Sequence, residues 1–323
     1  MSYKKVVICG AGFLGSNIAR YIANAPAFNA VTRRVQLSSR NPQLLHSKLE
    51  KDVLKDRLLP PVTLDITKPH TLPPAFENAD VIVSLVGLMH GSAQQFDEIQ
   101  WRGAENVARA AKQTEAKLVH FSAIGANPNS HIPYIRTKGL ADKSVLEICP
   151  NATIFRPSLV FGPDDDFFNR FAKLARFLPF LPVYGGGTAR FQPIYVGDLA
   201  RAVEIISRLD PTIEKQVSGQ IIEAGGPDVY TFKQLMELVL NHTHRYRPVI
   251  SFPYSFGYVQ GAVLEKLPVN LFTVTRAQIE QLQQDNVVSP ESSSHVITFK
   301  TLVEGNDHAY LKPLSEILPQ YLH

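Results

Sequence analysis

The sequence is poor in residues that staple or anchor a chain. Two cysteines, Cys9 and Cys149, occur in 323 residues. They exclude a disulfide framework and a four-cysteine zinc site, and they fit a reducing compartment. No apolar run reaches the roughly 20 residues that a membrane-spanning helix needs. Neither sign of charge dominates, with 33 Lys and Arg against 29 Asp and Glu, a net charge of +4. That is not the clustered positive field of a nucleic-acid binder, so no nucleic-acid partner is expected. The ten histidines form neither H-x-x-x-H nor H-E-x-x-H, so no metal site is expected. A G-x-S-x-G elbow is also missing, which argues against an α/β-hydrolase.

What is present is enough for a large core. Hydrophobic residues make up 45% and charged residues 19%, which excludes disorder as the dominant state. Val6–Cys9, Val35–Ser39, Val62–Ile66, Val81–Val86 and Leu118–Ser122 are apolar runs of strand length. Helical patterns alternate with them: Leu14, Ile18, Tyr21 and Ile22 share one face, and Val107, Ala110 and Ala111 another. This alternation predicts an α/β fold, a doubly wound parallel sheet with helices on both faces. The opening Lys4–Cys9 has the charge and apolarity of a signal peptide, but Gly10, Gly12 and Gly15 make strand–loop–helix the better reading. No presequence is visible ahead of that strand.

The style changes after Pro157. The turn cluster Phe161–Asp166, an aromatic helix, Tyr184–Gly187 and several Pro-rich joints suggest a second lobe. The expected division is a dinucleotide domain at 1–160, completed by about 189–225. A smaller, mostly helical lobe takes 161–188 and 226–323. Pro313–Leu322 reads as a terminal helix that docks on the body.

Gly10-Ala11-Gly12-Phe13-Leu14-Gly15 fits G-x-G-x-x-G between a strand and a helix. Its glycines permit a tight turn and close approach of a pyrophosphate, and the helix N-terminus supplies free N–H groups. The second strand ends Leu37-Ser38-Ser39-Arg40. Hydroxyls and a guanidinium there suit a 2′-phosphate, so NADP(H) is the expected cofactor, with Arg33 and Arg34 as rivals to Arg40. Asp65 can accept from an adenine amino group or simply shape a turn. Ile66, Val86, Gly87 and Pro157 complete the expected cofactor contacts. Tyr134-Ile135-Arg136-Thr137-Lys138 sets a phenol and an ammonium on one helical face. Lys138 can lower the phenol's pKa and bond the nicotinamide ribose, leaving Tyr134 to move a proton beside a hydride-transfer site.

These motifs, with Arg156–Gly162 and Gln192–Ala200, resemble extended short-chain dehydrogenases/reductases. Asn127–Lys138, Pro157–Phe168, Thr275–Glu280, Asp285–Val288 and Pro313–Pro319 resemble an atypical branch of them. That branch contains the NADPH-carrying accessory subunit of respiratory complex I, and is similar to an auxiliary protein of coenzyme Q synthesis. The resemblance covers nearly the whole chain. It implies a Rossmann fold, a tightly held NADP(H), and partners among complex I or coenzyme Q synthesis subunits. It also implies a place on the matrix side of the mitochondrial inner membrane, or in the cytoplasm of a bacterium.

The chain departs from the extended pattern at two points. Cys9 stands at the family's first glycine. Ile124 stands where the catalytic Ser or Thr is expected, and Ser122 lies two positions early and deeper. Without a hydroxyl to hold a substrate carbonyl, transition-state polarisation weakens. A cofactor holder with slow or no turnover is therefore expected first. A reductase of a hydrophobic, quinone-like or prenylated molecule comes second, and a nucleotide-sugar epimerase or dehydratase third. Asp164–Asp166 is expected to cap the following helix, and Asp198 to be an N-cap. In that following helix Phe167, Phe171, Leu174 and Leu178 form a stripe, with Arg170, Lys173 and Arg176 opposite. With 252–258, the segment 167–183 is a candidate for peripheral membrane contact.

Overall fold

The computed structural model describes residues 2–266, 268, 270–290, 297–307 and 309–322. Val6, Val7, Ile8 and Cys9 are fully buried in strand β1 (Tyr3–Cys9), as a strand covered on both faces requires. Helix α1 (Phe13–Asn24) buries Ile18, Ala19, Ile22 and Ala23, while Tyr21 stays exposed. The chain continues through β2 (Thr32–Ser39), β3 (Val62–Thr63), β4 (Val81–Ser84), α2 (Gly103–Gln113), β5 (Lys117–Phe121), α3 (Pro133–Ile148) and β6 (Thr153–Pro157). Helix α4 (Val196–Ser207), β7 (Ile221–Ala224) and α5 (Phe299–Asp307) follow much later.

The seven strands form one sheet in the order β7-β6-β5-β4-β1-β2-β3, and every pairing is parallel. This is the doubly wound Rossmann-type sheet that the alternation predicts. Strand β3 stops two residues in, because side chains turn the chain there. The Asp65 carboxylate accepts from Thr67 N and Oγ1 at 3.0 and 2.8 Å, and Thr71 Oγ1 bonds both the N and the O of Asp65 at 3.0 Å.

The chain divides into two units, Met1–Pro157 with Val196–Ala224 and Ser289–Tyr310, and Ser158–Tyr195 with Gly225–Val288 and Leu311–His323. The second unit begins at Ser158 rather than 161, and the boundaries differ more widely at two further places. Residues 189–195 belong to the second unit: Arg190–Phe191 pairs with Tyr230–Thr231, and Ile194–Tyr195 with Val160–Phe161. The stretch 289–310 returns to the first, where α5 packs on α4 and β7. Phe299 meets Phe155 edge-on at 5.8 Å, and Leu302 and Val303 are buried. Asp198 lies inside the first turn of α4 rather than at its cap, and it is buried against Arg201.

In the second unit Asp165 caps the helix Asp166–Phe177, accepting from Phe168 N at 2.6 Å. The strand Leu181–Tyr184 pairs in parallel with Val249–Phe252. A capping box of Thr231 and Gln234 opens the helix Phe232–His242. Leu314, Ile317, Leu318 and Leu322 of the terminal turns join this core, and Tyr321 OH donates to Asp165 Oδ2 at 2.5 Å. Arg170 is not on an outward basic face. Its guanidinium turns in and donates to the carbonyls of Leu271 and Thr273, while Lys173 and Phe177 are exposed.

Candidate functional site

The glycine loop connects β1 to α1 within the first unit. Gly10 has φ +127°, and its N–H donates to Ser38 O at 2.9 Å. A Cβ on Gly15 would stand 1.9 Å from Gly10 O, so a side chain cannot enter there. A Cβ on Gly12 would meet nothing within 4 Å. The loop is thus closed on its inner side and open at Gly12, the N-cap of α1, where helix N–H groups point outward. Phe13 and Leu14 are half-buried behind it. Free N–H groups at an open glycine turn are what a dinucleotide pyrophosphate would need.

At the end of β2, Ser39 Oγ accepts from Asn41 N at 3.2 Å, and Arg40 is exposed. Arg40 is close enough to act on Asp65. Against the opposing pull of burial, the bonds from Thr67 and the charges of Lys68 and Arg40 hold that carboxyl below its ordinary pKa. Asp65 is therefore committed to a turn. The rivals to Arg40 lie elsewhere. Arg33, 2% exposed, pairs with Glu204, and Arg34 stacks 4.3 Å from the Tyr3 ring. Both sit in the first half of β2, away from the glycine loop, in register with Lys4 and Lys5.

Tyr134 and Lys138 lie one turn apart on α3, which begins with Pro133. Lys138 Nζ donates to Phe121 O at 3.0 Å, and a Cβ on Gly87 would stand 3.4 Å from it. Burial lowers the Lys138 ammonium to about 8, with Asp142 opposing. Burial raises the Tyr134 phenol to about 12, and the Phe96 ring packs edge-on against it at 6.0 Å. Burial is the cause of the phenol's shift, and Lys138 itself turns to Phe121 O, with Asp142 one turn further along.

Ser122 is buried beside Asp142. Burial raises the Asp142 carboxyl above its ordinary pKa, opposed by Arg156, whose Nη2 lies 2.8 Å from Asp142 Oδ2, and by the nearby Ser122 hydroxyl. Among the described residues, neither Ser122 Oγ nor Asp142 Oδ1 has a partner at hydrogen-bonding geometry. Ile124 is 5% exposed, and its N–H donates to Pro157 O at 3.1 Å, so Pro157 fixes this loop through its carbonyl. Ile66 O accepts from Asn106 Nδ2 at 2.8 Å, and its side chain fills the space beside Gly103. Val86 is half-buried at the end of β4.

Three residues join the site unannounced. Gln100, on the π-helical turn Phe96–Arg102, donates to Thr137 Oγ1 at 2.9 Å and accepts from Leu88 N at 3.3 Å. It ties the Gly87 loop to α3. His120 is 2% exposed, with Nδ1 3.2 Å from Ser84 Oγ and, among the described residues, no partner for Nε2. Burial, then the Lys138 charge, pushes its pKa down to about 3, so it is neutral. Asp142 was open to discovery, because it stands four residues after Lys138. A π-turn glutamine and a strand histidine carry no comparable signal.

A parallel sheet with this loop after β1 and a Tyr-x-x-x-Lys pair after β5 has the layout of the extended short-chain dehydrogenase/reductase family. The sequence profile of the NAD dependent epimerase/dehydratase family matches residues 6–217, and the chain belongs to that family. Among its relatives is the Arabidopsis thaliana NADH dehydrogenase (ubiquinone) 1 alpha subcomplex subunit 9, mitochondrial. The two are 27% identical over 92% of this chain and 72% of that one. The ceramide reductase of Caulobacter vibrioides is 30% identical over 60% of this chain and 58% of its own length. The chain therefore spans only part of each relative. UDP-glucuronic acid 4-epimerase from Bacillus cereus, solved with UDP-glucuronic acid and NAD, has the same fold. It superposes with a TM-score of 0.70 over 98% of this chain and 97% of that one, at 17% identity.

Proposed function

We propose that this chain is an NADP(H)-holding member of the family, with slow or no turnover, that supports a quinone-linked mitochondrial complex. One observation carries the reading. The glycine loop at Gly10–Gly15 is closed at Gly15 and open at Gly12, while the buried Ile124 stands where a catalytic hydroxyl is expected. The complex I subunits among the relatives support an accessory role in that complex and a mitochondrial location; coenzyme Q synthesis is the alternative setting. Arg40 and Ser39 would meet the 2′-phosphate. Titration with NADPH and NADH tests this. Wild type should prefer NADPH, and Arg40→Glu should weaken NADPH by about tenfold or more. Equal wild-type affinities would refute the NADP(H) assignment. Native purification with mass spectrometry of the nucleotide and of co-purifying proteins tests the setting.

A second reading, a reductase of a hydrophobic substrate, draws support from the retained Tyr134 and Lys138 and from the relative named ceramide reductase. NADP(H) would supply the hydride. Tyr134 would give the proton, and Lys138 would hold the ribose. Tyr134→Phe should then abolish turnover while nucleotide affinity stays; turnover that survives the change excludes Tyr134 as the proton donor. Peripheral membrane contact by 167–183 and 252–258 rests on Lys173, Phe177 and Phe256, since Arg170 is engaged inside. Pelleting with anionic vesicles supports it, and failure to pellet refutes it.

A further inference from the structure

The second unit contains an apolar cavity of about 450 Å³, within the range of roughly 300–1,000 Å³ for small-molecule sites. Residues of the helices Asp166–Phe177 and Tyr254–Leu264 line it, among them Phe171 and Phe256, together with Phe232, Phe252 and Phe272. Phe256 and Phe272 are also 50% and 46% exposed, so they mark its mouth. Every lining residue belongs to the second unit.

Several polar side chains on its wall bond one another or nearby groups. Arg170 gives its guanidinium to the carbonyls of Leu271 and Thr273. Tyr184 OH donates to Gln260 Oε1 at 2.7 Å. Gln278 Oε1 accepts from Thr275 N at 3.0 Å, and Asn286 Oδ1 accepts from Ser158 Oγ at 2.6 Å. Among the described residues, Gln281, with the amide nitrogens of Gln260 and Asn286, is the polar capacity left on the wall. A sugar or a phosphate placed here would lose its water and gain few partners for its many polar groups, a net loss for each one left unpaired. A hydrocarbon chain would lose nothing and gain contact with aromatic faces and edges.

We propose that this cavity binds a single apolar chain, acyl or isoprenoid, entering between Phe256 and Phe272 with its polar end near Gln281. The proposal names a ligand class for the second unit. It does not depend on the nucleotide assignment, because none of its residues belongs to the cradle.

The test is a fluorescence titration of the full chain with cis-parinaric acid, followed by displacement with palmitic acid, geranylgeraniol and UDP-glucuronic acid. The expected result is saturable one-to-one binding, reversed by palmitic acid or geranylgeraniol and untouched by the nucleotide sugar. The better displacer identifies the source of the chain. Phe256→Glu/Phe272→Glu puts charge at the mouth, on residues half open to water, and should weaken the probe by about tenfold or more. Leu271→Trp fills the cavity without charge and should do the same. Tyr246→Glu, 99% exposed and outside the cavity, should change nothing. The proposal is overturned by no saturable binding, by displacement with UDP-glucuronic acid alone, or by equal loss in Tyr246→Glu. NADPH affinity is measured on the same samples. NADPH binding without probe binding defeats this inference alone, and the reverse defeats the nucleotide reading alone.

Discussion

Arg33 and Glu204 are each 2% exposed in the first unit and pair directly, with Arg208 on the same carboxylate at 2.6 Å. At similar depth the second unit holds Phe168 and Phe232. Phe168 meets Phe161 and Phe167 edge-on, and Phe232 meets Phe167 and Phe171. The first interior continues in this style, with Lys117 on Glu214 at 3.0 Å and Arg156 on Asp142. Buried ions tolerate one arrangement, because removing a partner strands the other without water. Rings are less exacting, since an aliphatic group of similar size recovers most of the contact. The unit with the cradle is thus held to one geometry, and the unit with the cavity has room to adapt.

The sharpest way to break this contrast is to substitute at its two centres. Glu204→Ala should cost about 3–5 kcal/mol, because Arg33 and Arg208 lose their counter-charge. Phe232→Leu should cost less than about 1.5 kcal/mol. Urea unfolding of both variants measures the difference, and equal losses would remove the distinction between the two interiors. Next in size is the cradle. Gly15→Ala drives a methyl onto Gly10 O and should cost about 1–3 kcal/mol together with nucleotide binding. Gly12→Ala meets no atom, so its melting temperature should hold while NADPH binding weakens. Unchanged NADPH binding in Gly12→Ala would mean that the pyrophosphate does not approach there.

The smallest effect is a pH dependence confined to the first unit. His120 is held to about 3, below its ordinary 6.5, so between these values the unfolded chain binds more protons than the folded one. Stability is then lost as pH falls, by about 1 kcal/mol between pH 6.5 and 5.5 for this one group. His120→Gln should flatten that slope, and calorimetry at the two pH values checks it. An unchanged slope would place the acid sensitivity on other groups.

The sequence revealed what local spacing controls. β1, the glycine loop and α1 follow within about two dozen residues, and each step reinforces the next. The Asp165 cap is equally local. Arg33 could not be placed, because Glu204 is 171 residues away. Arg170 was misplaced for the same reason: its helical position points to water, but its partners are carbonyls about a hundred residues downstream. The return of 289–310 to the first unit leaves no mark on local composition. In the site, the Tyr134 and Lys138 spacing was visible, but their electrostatics were not. Those depend on Phe96, Phe121 and Asp142 as neighbours, and on how deeply α3 is buried.

The interleaving of the two units also sets a schedule for their birth. A ribosome adding roughly 5–20 residues per second takes some tens of seconds to deliver this chain. Strand β7, at one edge of the first sheet, emerges only after 158–195 of the second unit has been made. Leu314, Ile317, Leu318 and Leu322 of the second core come later still. The first core waits for 289–310 and the second for 311–322, so Phe167, Phe168 and Phe171 are made long before their last partners. A premature stop near residue 310 would leave the nucleotide cradle made but the aromatic core unfinished, giving quality control a clear signal to read.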